Sequence, residues 1–151
     1  MAVTPRERPF AQFNFLVDLG DGVTDKPQAG FQEISGFGIE VTLSDYRPGN
    51  HRFNSTIKVA TLTKYNPPTL KRGAVGIVDL YKWVDDTRFG RDTARRTVTI
   101  TLQNEDRSQA VLTWTLKNAR LVKYTCGPFN AKGTDVLIEE MVLDPETISM
   151  E

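Results

Sequence analysis

Apolar and polar residues alternate along most of this chain with the period of a strand, and one stretch changes to the period of a helix. Phe13, Phe15, Val17 and Leu19 recur at every second position, separated by Asn14, Leu16 and Asp18. That spacing predicts a strand with one buried face. Before it, residues 1–9 carry two prolines and three charges and read as an extended N-terminal arm. After it, Asp21-Gly22 is a favoured tight-turn pair. Residues 31–46 form a second extended region, in which Ile39, Val41 and Leu43 alternate with Glu40, Thr42 and Ser44. Gly36 and Gly38 predict a bulge or sharp bend within it. Residues 47–54 are a polar connection with a turn at Pro48-Gly49, and residues 56–62 resume as strand. Asn66-Pro67-Pro68 interrupts any ladder, because proline has no amide donor.

From residue 74 the period changes. Ile77, Leu80, Tyr81 and Val84 fall at i, i+3, i+4 and i+7, which predicts a helix over 74–88 with that face buried. Asp79, Lys82, Asp85 and Asp86 lie mostly opposite, and Gly90 supplies a left-handed end. Strands then return. Val98, Ile100 and Leu102 alternate with Thr97, Thr99 and Thr101; Leu112, Trp114 and Leu116 alternate with Thr113, Thr115 and Lys117. These two runs predict a hairpin with an apolar face and a threonine-rich face, continued past a bend through 119–124. Residues 135–143 are a final strand, apolar on both faces. Strands, one helix, then strands predict a mainly β fold: an antiparallel β-barrel or sandwich with one flanking α-helix.

The length, 151 residues, suits one domain spanning 1–151. Nineteen basic and nineteen acidic residues cancel, so nothing favours long-range attraction to nucleic acid or anionic lipid. The opening MAVTPRERPF has no signal-like apolar run, and no stretch approaches the length of a membrane span. Synthesis and folding in the cytoplasm, without membrane anchoring, are the expectation.

Candidate chemistry is sparse. His51, the sole histidine, sits in the polar connection with no nucleophile motif beside it. A zinc site from His51 and the single cysteine, Cys126, would need carboxylates to complete it. Cys126 precedes Gly127-Pro128 with no flanking His or basic cluster to activate it. Glu139-Glu140 point to opposite faces of a strand and cannot share a substrate. Asp18, Asp21 and Asp25 lack the spacing and terminal glutamate of a calcium loop. Gly36-Phe37-Gly38 lacks the later glycine and lysine of a phosphate loop. Lys71-Arg72 and Arg95-Arg96 read as solvated faces or intersubunit ion pairs. No catalytic residue, cofactor or metal is expected. The threonine face admits two readings, an ordinary exposed strand face or the wall of a wet channel, and pattern alone leaves both open.

The order of several short segments carries a resemblance. They are Phe13-Asn14-Phe15-Leu16-Val17, Gly30-Phe31-Gln32-Glu33-Ile34-Ser35-Gly36, Tyr46-Arg47-Pro48-Gly49, Leu62-Thr63-Lys64-Tyr65 and Thr69-Leu70-Lys71-Arg72-Gly73. In the second half they are Trp114-Thr115-Leu116-Lys117-Asn118-Ala119, Val122-Lys123-Tyr124, Gly127-Pro128 and Val136-Leu137-Ile138-Glu139. Together they resemble the tail tube proteins of contractile phages and phage-tail-like injection systems, which are related to the type VI secretion tube protein. Asn66-Pro67-Pro68 departs from that pattern.

The resemblance implies a non-enzymatic subunit of hexameric rings, stacked into a tube whose channel passes cargo or DNA without sequence-specific binding. It implies as partners other copies of the chain, a contractile sheath, and baseplate, hub and tube-terminating proteins, all in one assembled particle. It places Asp45, Tyr46, Arg47, Pro48, Gly49, Asn50, His51 and Arg52 at the contact between rings. It places the polar face of Thr97, Thr99, Thr101, Thr113, Thr115 and Lys117 on the lumen. Two alternatives are a specialised ring that initiates the tube at the baseplate and a small β-barrel carrier of an apolar ligand; a hydrolase ranks behind them.

Overall fold

The computed structural model describes residues 5–22, 24–26 and 29–151. Among these residues nine strands and one α-helix follow in the order β1 (Phe15–Asp18), β2 (Phe31–Ser35), β3 (Gly38–Tyr46), β4 (Ile57–Asn66), β5 (Thr69–Gly73), α1 (Asp79–Arg88), β6 (Arg96–Gln103), β7 (Ala110–Cys126), β8 (Ile138–Asp144) and β9 (Thr147–Met150), with a short 3-10 turn at Asp92–Ala94 before β6. Seven of the strands form one sheet in the order β1-β6-β7-β8-β5-β2, with β9 also on β7. All described pairings are antiparallel. The long strand β7 organises this sheet. Its first half pairs β6 on one edge and β9 on the other, and its second half pairs β8.

The predicted hairpin is β6–β7, in the register Val98↔Leu116, Ile100↔Trp114 and Leu102↔Leu112. Strand β9 was not expected: Pro145 splits its short pattern from β8, yet β9 pairs Leu116 with Ile148. The core is one cluster that includes Val17, Leu70, Leu80, Trp83, Val98, Leu116, Leu121, Met141 and Leu143. Several expected apolar positions fall outside it, Leu102 and Leu112 among them. Phe13 precedes β1 and is 65% exposed. Val136 precedes β8 and is also exposed, so the final strand is shorter than its apolar run.

The helix begins five residues later than its period suggests. Gly76 stands at φ +81, which a right-handed helix cannot contain, so Ile77 lies ahead of the first turn. The buried stripe is Leu80 and Trp83, packed across β7, while Tyr81 is exposed. Trp83 Nε1 donates to the Ala94 carbonyl at 2.7 Å, which satisfies the indole in the core. Gly90, at φ +69, closes the helix as expected. Its N–H bonds to the Thr87 carbonyl and that of Arg91 to the Asp86 carbonyl, the paired bonds of a glycine-terminated helix.

The expected extended region over 31–46 is two strands in two sheets. Gly36 turns the chain at φ +89, close enough to the Pro67 carbonyl that a Cβ would stand 3.3 Å from it. Before this bend β2 pairs β5 in the main sheet; after it β3 pairs only β4. Pro67-Pro68 ends β4 at the same root, and Pro68 is buried, accepting from Leu143 N–H through its carbonyl. A two-stranded ribbon therefore leaves the body at one bend and one proline pair.

Candidate assembly surface

Strands β3 and β4 contact each other and scarcely anything else in the described chain. Nine residues of β3, at about 3.4 Å each, make an arm roughly 30 Å long. Nearly every residue along it is exposed, yet it carries Ile39, Val41, Leu43, Tyr46, Ile57, Val59 and Leu62. A free two-stranded hairpin is marginal in water, and exposed apolar strands are a template for association. The sequence pattern signalled these strands but not their exposure.

The residues expected between rings all gather at the tip of this ribbon. Asp45 and Tyr46 end β3; Pro48, Gly49, Asn50, His51 and Arg52 form the turn. Asp45 pairs with Lys58 across the ribbon at 3.5 Å. Arg47 is used inside the tip: Nε donates to the Phe53 carbonyl at 3.1 Å and Nη2 to the His51 carbonyl at 3.3 Å. His51 Nδ1 lies 2.9 Å from the Phe53 carbonyl oxygen, and its backbone N–H bonds to the Pro48 carbonyl. The tip is thus an ordered, self-bonded turn that presents Tyr46 and Phe53 outward.

The threonine face forms as expected. Thr99 is paired with Thr115 and Thr101 with Thr113, and cross-strand partners share a face. Strand β9 widens it, setting Ser149 beside Thr115 and Thr147 beside Lys117. Thr97 and Lys117 are exposed; the four central threonines are half-buried. A second polar face covers β2, β5 and β8. There Lys71 Nζ lies 3.7 Å from Glu33 and 3.4 Å from Glu140.

Arg72 corrects the expected solvated basic pair, because its side chain is fully buried. Neighbours on a strand face opposite ways, so Lys71 meets solvent while Arg72 points into the core. Its Nη1 and Nη2 donate to Asp79 at 3.2 and 2.6 Å, and its Nε donates to Glu139 at 2.9 Å. Burial works against the charged guanidinium, but these carboxylates hold it, and its pKa is raised above the ordinary value. Tyr124 Oη donates to the other oxygen of Glu139 at 2.6 Å. Burial and that carboxylate raise its pKa as well. The cluster joins β5, β8, β7 and the first turn of α1. Glu139 and Glu140 do face opposite ways, one to Arg72 and one to Lys71.

Among the described residues no three or more His, Cys, Asp or Glu side chains gather as metal ligands. A cleft of about 660 Å³ lies between the sheet's end strands, lined by Phe13, Phe15, Glu33, Ile34, Leu102 and Trp114 among others. It holds no paired titratable groups. No described helix is long and apolar enough to cross a membrane.

A search of curated proteins finds no match. Among solved structures, the chain is similar to one in the cryo-EM structure of the anti-feeding prophage tube-terminating cap, at 21% identity and TM-score 0.82, covering 98% of this chain and 94% of that one. It is similar to a chain of the sheath–tube complex of PVC, an extracellular contractile injection system, in its extended state. That match has 24% identity and TM-score 0.81, covering 96% and 93%. A chain from the 6-fold symmetrised baseplate of the anti-feeding prophage matches at 26% identity and TM-score 0.76, covering 97% of each. These likenesses establish the fold. The family model described as T4-like virus tail tube protein gp19 matches residues 11–149, nearly the full length, so the chain belongs to the T4-like virus tail tube protein family.

Proposed function

We infer that this protein is the structural subunit of the inner tube of a contractile injection system or phage tail. In this reading, copies form hexameric rings that stack, enclosing a channel for cargo or DNA. The observation that carries it is the β3–β4 ribbon, an arm with exposed apolar side chains that packs against scarcely anything else in its own described chain. The similar structures support it, since one comes from a sheath–tube complex, one from a tube cap and one from a six-fold baseplate. A surrounding sheath, a baseplate or hub and a terminating protein are the partners proposed, along with other copies of the chain.

The tip residues Asp45–Arg52 are proposed to touch the next ring. Tyr46 and the backbone of the self-bonded turn supply the contact, with Arg47 holding the turn's shape. The threonine face is proposed to line the lumen, where uncharged hydroxyls pass cargo without gripping it. The carrier alternative requires an empty apolar interior with a mouth; here Leu70, Leu116, Leu121, Met141 and Leu143 fill the interior. The baseplate-ring alternative draws support from the 26% identity to a baseplate chain.

Electron microscopy of the purified protein, with sedimentation, tests this reading. Long tubes are expected, single rings would favour the baseplate-initiating role, and a 17.0 kDa monomer at every concentration, even with sheath or baseplate partners present, would overturn both. Tyr46→Ala should shorten tubes while leaving the circular dichroism spectrum unchanged; unaltered polymerisation would remove the tip from the stacking contact.

A further inference from the structure

The main sheet does not close on itself. Its end strands are β1 and β2, and the strand order leaves them unpaired with each other. The cleft of about 660 Å³ lies between them, a size common for small-molecule sites. Four aromatic residues line it, Phe10, Phe13, Phe15 and Trp114. Trp114 is backed by a stacked ring, Phe37, with 6.0 Å between centroids. Phe10 and Phe13 belong to the segment ahead of β1, which is fastened at both ends to the β6–β7 turn. At one end Arg6 forks onto Glu105 at 2.7 and 3.2 Å and lies 3.8 Å from the centre of the Phe10 ring. At the other, Asn14, only 4% exposed, donates to the Asn104 and Glu105 carbonyls at 3.2 and 3.1 Å. The aromatic wall is therefore held in place from two sides.

The charge of the cleft has one sign. Among the described residues that line it, only Glu33 is charged. The β2–β5 register shifts between Phe31 and Glu33, with Gln32 as the extra residue on β2, the kind of bulge that re-aims a side chain. Lys71 lies 3.7 Å from the Glu33 carboxylate but 3.4 Å from that of Glu140. One ammonium is thus shared by two carboxylates, and one negative charge is left over. An aromatic face attracts a cation, and a carboxylate beside it adds the opposite charge. An anion would be repelled by Glu33, and a neutral apolar molecule would leave that charge unanswered. We propose that the cleft is a binding site for a small organic cation of the quaternary-ammonium class, seated among the four aromatic residues with Glu33 as its counter-ion. Ile34 and Leu102, which also line the cleft, receive the alkyl groups around the charged nitrogen. The site stands independently of the tube reading.

Titration of the purified protein with choline tests it, against the tert-butyl analogue in which a neutral carbon replaces the charged nitrogen. Binding is followed by equilibrium dialysis and by tryptophan fluorescence, which reports on Trp114 because Trp83 is fully buried. Choline should bind saturably and at least about tenfold more tightly than the neutral analogue. Glu33→Gln should weaken choline binding by about tenfold and leave the analogue unaffected. Phe13→Leu keeps an apolar side chain at an exposed position but removes the ring, and should weaken choline binding about threefold or more. Circular dichroism should be unchanged in both variants. Equal affinity for choline and its analogue would reveal an ordinary apolar cleft and overturn the cation site. Choline binding that neither variant weakens, or no saturable choline binding at all, would overturn it as well. None of these outcomes changes what electron microscopy shows of tubes and rings.

Discussion

Arg72 carries a full charge into a place closed to solvent, and the chain spends Asp79, Glu139 and, through Glu139, Tyr124 to keep it there. Removing one member of a buried ion pair strands the others and costs about 3–5 kcal/mol. Arg72→Ala should therefore lower unfolding stability by about that amount in urea titration, and it should loosen the start of α1, where Asp79 loses its partner. Arg72→Met together with Glu139→Leu should recover part of the loss, since hydrophobic replacement of a whole buried pair is often neutral. A second ion pair works at the surface. Arg6 donates to Glu105 at 2.7 Å, fixing residues before β1 to the β6–β7 turn and lowering the Glu105 pKa to about 2. A depressed carboxylate contributes its stability above its unfolded pKa, about 4.3, and loses it as pH falls through the folded value. Glu105 should thus titrate near pH 2 by NMR, and Arg6→Ala should move the midpoint up toward the ordinary glutamate range. An unchanged midpoint would show that the backbone of the turn, not Arg6, sets it.

At the scale of elements, the helix separates what periodicity reveals from what it hides. Leu80 was legible as a core position, but Trp83 rather than Tyr81 is buried beside it, and Gly76 keeps Ile77 ahead of the first turn. Trp83→Ala should cost about 3–5 kcal/mol, whereas Tyr81→Ala should stay within about 0.5 kcal/mol, as exposed positions do. Comparable losses at both sites would restore the face predicted from spacing. The β6–β7 hairpin was readable residue by residue, because strict alternation assigns each side chain one face. The ribbon was readable only as strands. Alternation shows that one face is apolar; it does not show whether core or another molecule covers it. The parity change between Val59 and Leu62 was the available signal, and it marks a shift in the β3–β4 register. Strand β9 was too short, and Arg72 too ordinary within a basic pair, for any local pattern to reveal pairing or burial set by strands far away in sequence.

At the scale of the whole molecule, two polar sheet faces compete for the channel. One is the hydroxyl face of β6, β7 and β9; the other is the Glu33–Lys71–Glu140 ladder across β2, β5 and β8. The apolar sides of both sheet regions are spent on the core, so each polar side faces away from the subunit, toward lumen, neighbour or sheath. The proposed assignment gives the lumen to the hydroxyls, because a channel with few fixed charges holds neither a polyanion nor a folded cargo. Cysteine at Thr99, in a Cys126→Ser background, should react with a small maleimide in intact tubes and stay shielded from a maleimide on a particle wider than the channel. Cysteine at Lys71 supplies the comparison, and should not share that size-dependent shielding. Should Lys71→Cys prove the size-shielded site while Thr99→Cys reacts with both reagents, the ion ladder lines the channel. The threonines would then face outward, toward the sheath.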